Sequence, residues 1–164
     1  MSEEKARKIK ASGLPRMKMP EQDPSRRASN FEEVPYGITL EMAMDEASRC
    51  LQCPKPRCKT ACPVNINIPQ FIAEISQGNP QAAAEKLKTQ TALPAVCGRV
   101  CPQENQCEGS CVLGIRGEPV AIGALERFAA DYVRQHNLEK TPEKAAPTGK
   151  RVAVIGCGPA GITA

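Results

Sequence analysis

Four stretches of the chain place apolar side chains at helical spacing, and the segments between them do not. The first begins at Thr39, which can cap a helix start; Glu41 sits in the first turn, and Leu40, Met44, Ala47 and Leu51 follow the period. The second puts Ile68, Phe71, Ile72 and Ile75 on one face, with Pro69 in the first turn and Gly78 at the end. Asn79-Pro80 then reads as cap and first residue of a third helix through Ala83, Ala84 and Leu87, so that the two form a helical hairpin. Residues 119–136 give the strongest pattern: Ile122, Leu125, Ala129, Tyr132 and Val133 make one stripe. Arg127, Asp131 and Arg134 fall on the opposite side. Glu126 falls on the edge of the stripe, where a carboxylate needs a partner, a metal or an outlet to solvent.

The remaining segments read differently. Residues 1–38 predict an extended arm, interrupted by Pro15, Pro20, Pro24 and Pro35 and loosened by Gly13 and Gly37. Residues 50–62 and 94–111 predict tight loops wrapped around something. The helical domain spans residues 39–138, and residues 139–150, rich in charge, Pro and small side chains, predict a linker. Arg151-Val152-Ala153-Val154-Ile155 reads as a short strand. It is followed by Gly156-Cys157-Gly158-Pro159-Ala160-Gly161, the G-x-G-x-x-G pattern in which glycines allow a tight turn and a close approach of backbone N–H groups to a pyrophosphate. Cys157 occupies a variable position there and reads as packing. One strand and half a turn cannot form a sheet, so residues 151–164 are expected to open a Rossmann-type domain of a longer polypeptide.

Composition changes this picture in two ways. The chain has 164 residues with no Trp, two Tyr and three Phe, so few large side chains are available to build an ordinary core. Metal ligation, which adds directly to folding free energy, would supply what packing lacks. The net charge of +4 resides in residues 1–30, which carry eight Lys/Arg against four Asp/Glu. Without interleaved aromatics, that basic segment reads as a solvated or protein-docking arm rather than a nucleic-acid binder. No secretory signal and no run approaching the ~20 apolar residues of a membrane span is visible, which points to the cytoplasm.

Eight of the nine cysteines lie between Cys50 and Cys111, as Cys50-x2-Cys53-x4-Cys58-x3-Cys62-Pro63 and Cys97-x3-Cys101-Pro102-x5-Cys107-x3-Cys111. Disulfides, zinc and iron–sulfur clusters compete for them. A reducing compartment and an odd cysteine count disfavour disulfides. Zinc sites favour paired C-x2-C knuckles or added histidines; there is one tight C-x2-C here, and the only histidine, His136, lies near a helix end. Two four-thiolate cubanes, with Cys-Pro after Cys62 and Cys101, fit better.

Longer motifs carry a resemblance. Arg49-Cys50-Leu51-Gln52-Cys53, Cys62-Pro63-Val64-Asn65-Ile66, Cys97-Gly98-Arg99-Val100-Cys101-Pro102, Ala121-Ile122-Gly123-Ala124-Leu125-Glu126-Arg127-Phe128 and Val154-Ile155-Gly156-Cys157-Gly158-Pro159-Ala160-Gly161 closely resemble the start of the glutamate synthase small subunit family. That family includes the large subunit of NADH-dependent ferredoxin:NADP oxidoreductases and the N-terminal region of dihydropyrimidine dehydrogenase. The resemblance implies a mainly α, ferredoxin-like domain with two [4Fe–4S] clusters, followed by an α/β FAD-binding domain and an NAD(P)H site. It implies that Cys50, Cys53, Cys58 and Cys111 hold one cluster. Cys62, Cys101 and Cys107 hold the other with Glu126 as fourth ligand, leaving Cys97 as a near neighbour. Gly156, Gly158 and Gly161 would meet FAD. The function implied is part of an NAD(P)H-dependent flavoprotein oxidoreductase that relays electrons to or from a partner: the glutamate synthase large subunit, a ferredoxin-type subunit or a flavin subunit. This segment alone has no catalytic residue, and a zinc or docking scaffold is the alternative.

Overall fold

The computed structural model describes residues 13–141 and 143–164; the first twelve residues of the basic arm lie outside it. Eight helices appear among the described residues: α1 (Pro24–Arg27), α2 (Leu40–Ser48), α3 (Arg57–Thr60), α4 (Ile68–Ser76), α5 (Pro80–Lys88), α6 (Pro94–Val100), α7 (Ile122–Gln135) and α8 (Pro159–Thr163). They contain no strand; one isolated bridge joins Glu21 to Pro35.

Local chemistry sets most of the helix starts. Thr39 Oγ1 accepts the Met42 N–H at 3.2 Å and caps α2. Proline stands in the first turn of α4, α5 and α6, where its missing N–H costs nothing and its fixed φ suits the helix. Gly78, at φ +77°, takes the left-handed conformation that ends α4. Asn79 makes no side-chain cap, contrary to expectation; Pro80 starts α5 without one.

The hairpin α4–α5 packs against α2 and α7, and α6 lies along α7. Phe71, Ile72, Ile75, Leu87, Ile122 and Leu125 form the centre of the core and are almost wholly buried. α7 is the axis of the domain, and its burial is wider than one stripe. Arg127, expected to face solvent, is 6 % exposed. α6 and the arm cover that face of α7, where Arg127 donates to the Pro35 carbonyl at 2.8 Å and pairs with Asp131.

Two segments expected as loops contain helix. Cys58 sits in α3, and the second cysteine segment opens with α6, which carries Cys97. The described part of the arm is hydrogen-bonded to the body instead of extending from it. The Leu14 carbonyl accepts from Arg49 Nε, Arg16 pairs with Glu108, and the Met17 N–H donates to Glu46. The described residues of 139–150 are exposed and without regular structure. Residues 151–157 are exposed as well, Cys157 included, and adopt no strand; α8 forms where the glycine motif predicts a helix start.

Candidate metal centre

The first cysteine group is built at the end of α2. Arg49 closes that helix, Cys50 follows at once, and Gln52 adopts φ +46°. A left-handed conformation at a non-glycine residue is costly and marks a turn the surroundings enforce. It reverses the chain within Cys50-Leu51-Gln52-Cys53 and brings the two thiols toward each other. α3 supplies Cys58, and Cys111 arrives from the far end of the second segment. Cys50, Cys53, Cys58 and Cys111 share one cavity, walled by Leu51, Ile68, Ile72, Leu113, Val120 and Ile122. Burial pushes the Cys50 and Cys58 thiols up to about 11, with the neighbouring cysteines adding to the effect.

Cys62 does not join them. It faces Cys101 and Cys107, and both of those also face Glu126. Cys101 ends α6, Cys107 lies in the following turn, and Glu126 comes from the second turn of α7. Burial raises Cys101 to about 11 and Cys107 to about 12. Glu126 is 7 % exposed, and burial raises its carboxyl to about 7. Its Oε1 is the buried side-chain oxygen or nitrogen without a hydrogen-bond partner among the described residues. A buried carboxylate oxygen with no donor is costly unless a cation meets it. Cys97 touches Cys101 as well, and its sulfur lies 3.8 Å from Thr91 Oγ1.

All nine cysteines are free thiols, so the disulfide alternative finds no support. Among the described residues, no three Cys, His, Asp or Glu side chains converge tightly enough to share a single metal ion. Tetrahedral zinc would draw its sulfurs to within about 4 Å of one another, since each sits about 2.3 Å from the metal. A cubane binds each thiolate through a separate iron and does not require the sulfurs to converge on one point. The backbone amides of Gln52, Lys59 and Glu108 lie beside the Cys50, Cys58 and Cys107 thiols and partly oppose the effect of burial, although the Lys59 and Glu108 N–H groups donate to the Pro56 and Gln103 carbonyls. His136 is no part of either group: it caps α7, stacks on Tyr132 and places Nδ1 2.8 Å from the Tyr132 carbonyl.

None of the three motif glycines lines the cavity shared by Cys50, Cys53, Cys58 and Cys111. Gly156 has φ +107°, and a Cβ on Gly161 would collide with the Gly156 carbonyl, so the tight turn depends on both; Gly158 caps α8.

Comparison with known proteins agrees with this chemistry. The family model described as dihydropyrimidine dehydrogenase domain II, 4Fe-4S cluster, matches residues 27–138. The glutamate synthase [NADPH] small chain of Halomonas elongata is 40 % identical over 144 residues, 87 % of this chain and 30 % of that protein. The corresponding Escherichia coli K12 small chain is 38 % identical over 149 residues, 91 % of this chain and 32 % of its own. The Escherichia coli K12 NAD-dependent dihydropyrimidine dehydrogenase subunit PreT is 40 % identical over 134 residues, 82 % of this chain and 32 % of its own. This chain therefore spans about a third of the length of these relatives. With its helical scaffold and two groups of partly buried thiols, it belongs to the dihydropyrimidine dehydrogenase domain II, 4Fe-4S cluster family, the iron–sulfur domain shared by oxidoreductase subunits of this kind.

Proposed function

We propose that this domain seats two [4Fe–4S] clusters and relays single electrons between FAD and a redox partner in an NAD(P)H-dependent oxidoreductase. Cys50, Cys53, Cys58 and Cys111 hold one cluster; Cys62, Cys101, Cys107 and Glu126 hold the other. When bound, clusters of this type supply one-electron redox chemistry. The partnerless Oε1 of Glu126, facing Cys101 and Cys107, is the observation that carries this reading.

The chain's own residues tune the two sites differently. Around the first, Leu51, Ile68, Ile72 and Val120 exclude water, and the backbone amides beside Cys50 and Cys58 favour the thiolate against that burial. At the second, Glu126 offers a harder oxygen donor than thiolate. A carboxylate there would shift the potential and lability of that site away from those of an all-thiolate one. Cys97 stays outside the ligand set.

Gly156, Gly158 and Gly161 would open the FAD site of the complete protein, where FAD with NAD(P)H would supply the hydride chemistry. The partner is another subunit or domain of the oxidoreductase: a glutamate synthase-type large subunit, a ferredoxin-type subunit or a flavin subunit. No helix among the described residues is long and apolar enough to cross a membrane. Reduced thiolates in this number belong in the cytoplasm.

Anaerobic purification with iron and sulfide analysis tests the reading: two clusters give about eight of each per chain. Glu126→Ala should then change the electron paramagnetic resonance signal of one reduced cluster, and Cys97→Ser should leave both signals intact. A Cys97→Ser protein lacking one cluster, with Glu126→Ala retaining two unaltered ones, overturns the ligand set. A colourless protein carrying zinc and no sulfide overturns the redox function.

A further inference from the structure

α7 has no cap of its own. Ala121, at its N-cap, offers no side-chain acceptor, and the first turn holds no acidic residue. Two carboxylates from elsewhere take that place. Glu46 of α2 accepts the Ala121 N–H at 2.8 Å, and Glu108 accepts the Gly123 N–H at 3.0 Å. Both are buried, at 1 % and 8 % exposure, and both sit where the helix dipole favours negative charge.

Each carboxylate has a second oxygen, and both of these are held by the arm. Glu46 Oε2 accepts the Met17 N–H at 2.7 Å. Glu108 Oε2 accepts Arg16 Nη2 at 2.6 Å, while Arg16 Nη1 donates to the Pro119 carbonyl at 2.9 Å. Arg16 therefore grips both the cap and the segment leading into the helix. One turn beyond Gly123, the same helix presents Glu126 to Cys101 and Cys107.

We propose that Arg16, acting through Glu108, is a positioning residue for Glu126: the arm fixes the start of α7 and so aims the carboxylate at the second thiol group. The inference rests on the reading of Glu126 as a cluster ligand. Arg16 touches neither thiol group and its side chain is 25 % exposed, so its replacement leaves the core packing in place.

The test uses the cluster-loaded protein and a ferrous chelator under anaerobic conditions, with iron release followed in time. Arg16→Ala should release half of the iron about 10-fold faster, the scale of losing an outer-shell partner, with the other half unchanged. It should also alter the resonance signal of the same cluster that Glu126→Ala alters. Arg16→Lys, which keeps a donor for Glu108, should restore most of the difference. Equal acceleration of both halves, or a signal unchanged in Arg16→Ala but changed in Glu126→Ala, overturns the positioning role while sparing the ligand. If Glu126→Ala itself changes nothing, the ligand reading falls first and this inference with it.

Discussion

Gly98 lies so close beneath α7 that a Cβ on it would stand 2.6 Å from the backbone nitrogen of Arg127. The obstacle is main chain, which cannot swing aside as a side chain would. Gly98→Ala should force α6 and α7 apart at a cost of about 1–3 kcal/mol, the scale of overpacking a filled core. Cys101, at the end of α6, should move with it. The expected result is a lower thermal midpoint for loss of the cluster absorbance under anaerobic heating; an unchanged midpoint contradicts the close approach.

Chemical labelling should rank the cysteines by ligation and burial. In the loaded protein, iodoacetamide should modify exposed Cys157 first and Cys97 second, with the other seven protected until a chelator removes iron. After removal, Cys101 and Cys107 should still react slowly at pH 8, because burial holds their thiols at about 11 and about 12 and little thiolate forms. Peptide mapping by mass spectrometry reads the order. Protection of Cys97 equal to that of Cys101 would return it to the ligand set.

Acid should loosen the arm at Glu33. Arg99 hydrogen-bonds this carboxylate and holds it below the usual carboxylate range, against the effect of partial burial. A depressed carboxylate stabilises the fold above its unfolded value, about 4.3 for Glu, and that contribution is lost as pH falls through the lower folded value. Glu33 is half exposed, so the energy at stake is small. A carbon-13 titration of Glu33 should show a midpoint below the ordinary Glu value, and Arg99→Gln should raise it. An unshifted midpoint in the wild type would mean that the pair does not persist in solution.

How far the sequence foretold this arrangement depends on whether local spacing or a distant neighbour decides each residue. α2, α4, α5 and α7 follow from apolar periodicity with Thr39, Pro69, Pro80 and Gly78 as punctuation. Glu126 stood out because a carboxylate at the edge of an apolar stripe is a local anomaly. α6 did not stand out: Gly98 reads as a helix breaker, yet a glycine is what the approach to Arg127 requires. Arg127 lies on the polar side of the wheel and is buried only because α6 and the arm cover it. The arm itself has no periodicity; its contacts with Glu46 and Glu108 span 29 and 92 residues, beyond the reach of pattern reading.

The crossing of Cys62 into the later thiol group, and of Cys111 back to the earlier one, bears on biosynthesis. A ribosome that has released Cys50, Cys53, Cys58 and Cys62 has completed neither site. In the proposed ligand set the first site waits for residue 111 and, with Glu126 as the last donor, the second waits for α7. On that ligand set metal loading would be tied to emergence of the whole helical domain, and a chain stalled before residue 111 would carry only loose thiols for the quality-control machinery to find.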